Sequence, residues 1–166
     1  NNFDPVADQT VSVTTTDITG AGFTITQSGG STSVTEPATT DTFTVVLNAQ
    51  PNSDVVLTVT SNDTGEATVN PATLTFTSAN WNTPQTVTVT GVNDALSDGA
   101  VAYTINLGAA TSADVRYQDF NAPDVQAVNM DNESPGISVS PRNLTVTEAA
   151  GAGNTATFSV VLNMPP

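Results

Sequence analysis

The chain has no cysteine, no histidine and no lysine, and among its 166 residues only Arg116 and Arg142 carry a fixed positive charge. Each absence closes a class of function. Without Cys or His, neither a Ser–His–Asp nor a Cys–His constellation can be assembled, and zinc, copper and haem lose their preferred ligands. Without Lys, a lysine–asparagine isopeptide cross-link cannot form. Without clustered Lys and Arg nothing neutralises phosphates, which excludes nucleic acid as a partner and disfavours an anionic membrane surface. No run of about 20 apolar residues is present to insert into a bilayer. A paired-carboxylate glycosidase needs a large cleft, which short loops do not build. The expectation is a protein that is not an enzyme.

What the chain has is acid. Twelve Asp and four Glu give a formal charge of −14, for which divalent cations are the natural counter-ions. Thr, Val, Ser, Asn and Gly dominate the remainder, and no stretch shows helical periodicity.

Short segments of alternating hydrophobicity recur at Phe23–Thr26, Asp41–Leu47, Val55–Thr60, Ala67–Asn70, Thr73–Thr77, Gln85–Thr90, Val101–Leu107 and Val125–Asn129. Gly29-Gly30, Pro51-Asn52-Ser53-Asp54, Asn62-Asp63-Thr64-Gly65 and Asn70-Pro71 punctuate them with turn chemistry. About seven short antiparallel strands per 100 residues is the pattern of an immunoglobulin-like sandwich. The fold class expected is therefore all-β. At its centre lies Thr86–Gly99, where Val87 and Val89 alternate with Thr88 and Thr90 before Gly91, expected to break the ladder. Asn93, Asp94 and Asp98 then place oxygens around a bend, and Val101–Leu107 is expected to return along the same sheet.

The sequence also repeats. SVTEPATTDTFTVVLNAQP at Ser33–Pro51 reappears as TVTEAAGAGNTATFSVVLNMPP at Thr145–Pro166, so Glu36 maps onto Glu148, 112 residues later, and Phe43 onto Phe158. Residues Val6–Phe23 likewise resemble Ala122–Ile137, with Asp17 matching Asp131. The frame implied is circularly shifted. Residues 1–22 end one repeat, residues 23–135 form a complete sandwich, and residues 136–166 begin a third copy. Two of seven strands cannot bury a face alone. Either the chain is a window from a longer tandem array, the favoured reading, or incomplete ends are completed between chains by strand donation.

The order of these motifs resembles Calx-beta domains: VTE opening the module, strand–NDxxxDG–strand over Val87–Leu107, and the closing Asp131-Asn132-Glu133. The phrase PATLTFTSANWNTPQTVTVTGVND is similar to repeats of large bacterial extracellular proteins. The resemblance spans one full copy and two partial ones, and it implies an immunoglobulin-like module holding calcium at one tip. Carried over residue by residue, the implied metal ligands are Glu36, Asp63, Asn93, Asp94, Asp98, Asp131 and Glu133. Two departures lower the charge offered to an ion. The loop reads Asn-Asp rather than consecutive Asp, and the exit reads Asp-Asn-Glu rather than three Asp. The same residue types are also ordinary turn formers.

The reading that follows is an extracellular, surface-displayed structural module: a stalk, adhesin or filament subunit. Its partners would be neighbouring repeats or subunits, met head to tail or through strand edges. DNESPG at Asp131–Gly136 would be either a calcium-stiffened joint or a plain Pro/Gly hinge. A module binding a glycan or protein ligand is the alternative, and a passive spacer a third. Trp81, Tyr103 and Tyr117 are the available stacking faces, although Tyr103 alternates with Val101 and Ile105 as a core residue does, and Trp81 is placed to cap one end of the core.

Overall fold

The structure, a computed structural model, describes residues 20–146, 148 and 155–164. The strand expected within residues 1–19 lies outside these. Twelve strands form among the described residues, with one short 3-10 turn, and no helix is long and apolar enough to cross a membrane.

The strands are β1 (Phe23–Gln27), β2 (Thr32–Thr35), β3 (Thr40–Leu47), β4 (Val55–Ser61), β5 (Ala67–Asn70), β6 (Thr73–Phe76), β7 (Gln85–Gly91), β8 (Val101–Leu107), β9 (Thr111–Ser112), β10 (Val125–Met130), β11 (Ile137–Ser140) and β12 (Ser159–Leu162). One sheet runs β1-β3-β7-β5 and the facing sheet β2-β10-β8-β4-β6, with β9 attached to β4. Alternation decides what each strand gives the core. Phe43, Val45 and Leu47 of β3 and Val87 and Val89 of β7 face Leu57 of β4, Tyr103, Ile105 and Leu107 of β8 and Phe76 of β6, all nearly inaccessible. Threonines at the intervening positions carry the β-branched shape that suits a pleated, half-buried surface.

The first edge is shared between the sheets. β1 pairs with β3 in one sheet, and after Ser28–Gly30 the chain crosses over as β2 to the other. Gly29 (φ 62°) and Gly30 (φ 86°) take the left-handed conformation this crossing needs. Asp41 secures it, its carboxylate accepting from Ser28 Oγ and from the Ser33 N–H at 2.8 Å.

Three expectations are corrected. Val101–Leu107 does not return beside Thr86–Thr90. β7 and β8 belong to opposite sheets, because each buries one face and those faces meet across a sandwich about 10 Å thick. Residues 92–100 therefore arch over the end of the sandwich. Gly91 does not break its ladder either, since it pairs with Ala67. And the pairing is not wholly antiparallel, because β2 runs parallel to β10.

The pairing directions place the chain's entry and exit at opposite ends. β1 starts opposite the end of β3, and β10 finishes beside the end of β2, next to residues 92–100. At the entry end, Tyr117 is fully buried and its hydroxyl donates to the Ala49 carbonyl at 2.6 Å. Phe23 packs edge-on against Tyr117 and Phe120 at 5.8 and 5.5 Å.

β11 and β12 pair as β1 and β3 do. β1 pairs Phe23 with Leu47 and Ile25 with Val45; β11 and β12 pair Ile137 with Leu162 and Val139 with Val160. Asn48 N–H donates to the Gly22 carbonyl and Asn163 N–H to the Gly136 carbonyl, both at 2.9 Å. Thr24 Oγ1 donates to Asn48 Oδ1 at 2.6 Å and Ser138 Oγ to Asn163 Oδ1 at 2.7 Å. Phe43 is 0% exposed, however, whereas its counterpart Phe158 is 59% exposed.

Candidate metal centre

The exit end of the sandwich gathers residues 36–39, 62–66, 92–100 and 131–136. Six carboxylates converge there in two groups. One carboxylate oxygen from each of Glu36, Asp131 and Glu133 lies within 4.8 Å of the other two, and one from each of Glu66, Asp94 and Asp98 does likewise.

Glu36 follows β2, and its N–H donates to the Met130 carbonyl at 3.0 Å, extending the parallel pairing by one residue. That pairing draws the side chain inward until it is 7% exposed, and its Oε2 has no partner. A buried carboxylate oxygen without a donor is costly. Asp131 follows β10 and closes a local turn, accepting from the Glu133 N–H at 2.6 Å and the Gly99 N–H at 3.0 Å. These two donors hold its carboxyl below the ordinary range. Glu133 moves the other way. Loss of surrounding water, and then its closeness to the Asp131 and Glu36 carboxylates, pushes it up to about 7, and its Oε2 also lacks a partner.

In the second group, Asp94 Oδ1 accepts from the Leu96 N–H at 2.7 Å, while Asp98 is exposed. Glu66 precedes β5 and is partly buried. Desolvation raises its pKa, Asn129 opposes that by hydrogen bonding, and Asp98, Asp63 and Asp94 add repulsion. Asn129 sits between the groups, its Nδ2 3.2 Å from Glu36 Oε1 and 3.2 Å from Glu66 Oε2.

The structure thus distributes the seven residues singled out in the sequence. Glu36, Asp131 and Glu133 share one cluster, and Asp94 and Asp98 enter the other. Asn93 is beside them, bonded through Nδ2 to the Asp94 carbonyl and through Oδ1 to Asn132. Asp63 joins neither. Its carboxylate accepts from the Gly65 N–H at 3.0 Å and shapes the turn. Glu66 and Asn129 are the site residues that the motifs did not indicate. Tyr103 and Tyr117, at 3% and 0% exposure, offer no stacking face, and Trp81 packs against the core.

The donor set is oxygen only, rich in carboxylate and free of imidazole and thiolate, which suits calcium or magnesium rather than a transition metal. Unpartnered buried oxygens on Glu36 and Glu133 are the atoms an ion would satisfy, so the residues fit calcium. Glu36, Asp131 and Glu133 would hold one ion, and Glu66, Asp94 and Asp98 a second.

No family model matches the sequence, and no curated protein matches it. Solved structures do match. CBD12 from CALX1.2 aligns at a TM-score of 0.50 and 13% identity, over 76% of this chain and 52% of that one. The PapD-like domain 7 of human CEP192 aligns at 0.50 and 12% identity, over 80% of this chain and 99% of that one. The periplasmic chaperone SfaE aligns at 0.48 and 12% identity, over 68% of this chain and 58% of its own length. The chain thus spans little more than half of SfaE and of CBD12. At such identities the likeness is one of fold: an immunoglobulin-like β-sandwich.

Proposed function

We propose that this chain is a structural module of an extracellular tandem-repeat surface protein or filament, in which calcium at the acidic tip stiffens the joint to the following module. The observation that carries this reading is Glu36: a 93%-buried carboxylate whose Oε2 has no donor and whose oxygens face Asp131 and Glu133 within 4.8 Å. An ion there would supply the charge that no protein group supplies. It would also bind the exit segment Asp131–Glu133 to the end of β2, fixing the direction in which the chain leaves.

The array follows from the repeat. Entry and exit at opposite ends make each copy add length, and β11–β12 would begin the next copy with the register of β1–β3. Glu148 is the counterpart of Glu36 in the sequence repeat. Small-angle scattering of the chain with calcium and with chelator tests the joint. A longer, narrower distance distribution with calcium supports it, and identical profiles contradict it.

A second reading, a ligand-binding module, is favoured by one feature. A cleft of about 360 Å³, lined by Thr60, Thr64 and Thr68 together with Val69, Ala72 and the buried Val59 and Ala67, opens between β4 and the sheet-edge strand β5. An extended peptide laid along β5 would use its unpaired backbone and this apolar floor. Protection of the Val69 amide, which points away from β7, on adding a candidate peptide would identify such a mode.

A further inference from the structure

β3 is paired on both sides, by β1 and by β7, and its Phe43, Val45 and Leu47 are buried. Its counterpart in the repeat, β12, is paired on one side only among the described residues, by β11. Phe158, Val160 and Leu162, which correspond to those three, are each more than half exposed. The first copy therefore shows what the second lacks: a strand in the place of β7. Residues 85–90 of β7 read Gln-Thr-Val-Thr-Val-Thr. Residues 9–14, outside the described residues, read Gln-Thr-Val-Ser-Val-Thr, so the chain carries a second segment with the side chains that β3 selects. The one difference, Ser12 for Thr88, keeps a hydroxyl.

Charge and strand count favour the same pairing. Neither residues 9–14 nor Ser159–Leu162 contain a charged side chain, so two copies of a chain of net charge −14 meet there without direct repulsion. The open edge of β12 has no charge and no proline, the usual devices that keep a strand edge from pairing. Two strands alone are marginal in water, whereas a third makes a sheet with an apolar face self-supporting.

We propose that copies of this chain join by strand donation, residues 9–14 of one copy pairing antiparallel with the open edge of β12 in a second copy. The register of β7 on β3 sets Val87 opposite Phe43, Thr86 opposite Thr44 and Gln85 opposite Val45. Moved onto the repeat, it sets Val11 opposite Phe158, Thr10 opposite Ser159 and Gln9 opposite Val160. Donor and acceptor are different surfaces, so the contact is heterologous and copies add in an open series. By the repeat frame, residues 9–14 also align with β10, which pairs with β2. The counterpart of β2, residues 144–146, is not a strand, whereas β12 is formed and open. No residue of the acidic tip takes part, so the inference does not depend on the calcium reading.

Disulfide trapping of the whole chain tests this, because the native sequence has no cysteine and every cross-link reports an introduced pair. Thr10→Cys and Ser159→Cys chains, mixed in chelator under mild oxidation, are expected to form a linked heterodimer. Thr14→Cys mixed with Thr145→Cys, the pair that a β10-like placement would bring together, is expected to stay unlinked. Sedimentation of the native chain in chelator should show mass rising past the dimer with concentration, and Val11→Asp should lose that rise. A native chain that stays monomeric, a Thr10–Ser159 pair that fails to link between copies, or linkage of the Thr14–Thr145 pair instead would each overturn the proposal. So would a chain carrying both Thr10→Cys and Ser159→Cys that closes on itself as a monomer. With chelator present throughout, each of these results leaves the calcium reading untouched.

Discussion

Gly91 lies against Asn129: a Cβ on Gly91 would stand 3.0 Å from Asn129 Oδ1, 3.2 Å from Val34 Cγ2 and 3.3 Å from the Thr35 carbonyl. The end of β7 thus approaches both the residue between the two acidic clusters and the strand that delivers Glu36. Gly91→Ala is expected to push β2 and Asn129 aside, costing about 1–3 kcal/mol as overpacked cores do, and to weaken calcium binding. Chemical denaturation and calcium titration of the variant check both effects.

A second prediction concerns the entry end. Asp114, 5% exposed, is held by Arg116 with contacts at 2.6 and 3.0 Å, and it also accepts from the Asn52 and Arg116 N–H groups. The Arg116 guanidinium, followed by those backbone donors, keeps its carboxyl well below the usual range despite burial. Asp114 therefore stabilises the fold above its unfolded value of about 3.9, and that stability is lost as pH falls through the lower folded value. Arg116→Ala is expected to cost about 3–5 kcal/mol at neutral pH by stranding a buried charge. Denaturation at pH 7 measures the cost, and Asp114→Asn should flatten the acid limb of the stability profile.

Glu133 gives the opposite slope. Its pKa is raised to about 7 from 4.5, so between those values the folded chain binds more protons than the unfolded one, and stability falls as pH rises. In chelator, the unfolding temperature is expected to decline across this window and to decline less in Glu133→Gln. Calcium, which takes the ionised carboxylate, should offset the decline near and above pH 7. An identical slope in Glu133→Gln would assign the effect elsewhere.

Phe43 and Phe158 occupy equivalent places in the repeat but not equivalent environments. Phe43→Ala is expected to cost about 3–5 kcal/mol, whereas Phe158→Ala in the present chain should stay within about 0.5 kcal/mol. In a chain extended by a further repeat, the two costs should converge. Parallel unfolding curves of the four proteins test this.

The strands of the sandwich were largely legible because period-two alternation and turn chemistry agree from Phe23 to Met130. β2 leaves no such pattern, because Thr32–Thr35 offers one large apolar residue, Val34. Sheet membership is not legible from alternation either. Alternation reports that β7 and β8 each bury a face, not that the two faces oppose each other. In the candidate site, the resemblance points to Asp63, yet a side chain that forms its own Asx turn is spent locally, and it is Glu66, one residue before β5, that reaches the cluster. Asn129 did leave a trace. An amide in an inward position of an apolar-alternating strand is a conflict between pattern and chemistry, and such conflicts concentrate at functional sites.

The most direct measurement is thermal unfolding of the whole chain against calcium concentration, for the native sequence and Glu36→Gln. An ion held at Glu36, Asp131 and Glu133 should raise the unfolding midpoint with an apparent dissociation constant of about 10⁻³ M or tighter. The shift should be smaller with magnesium, and Glu36→Gln should lose most of it. A native chain whose midpoint stays unchanged up to about ten times that concentration would contradict the metal-stiffened tip and leave the acidic loops as turns alone.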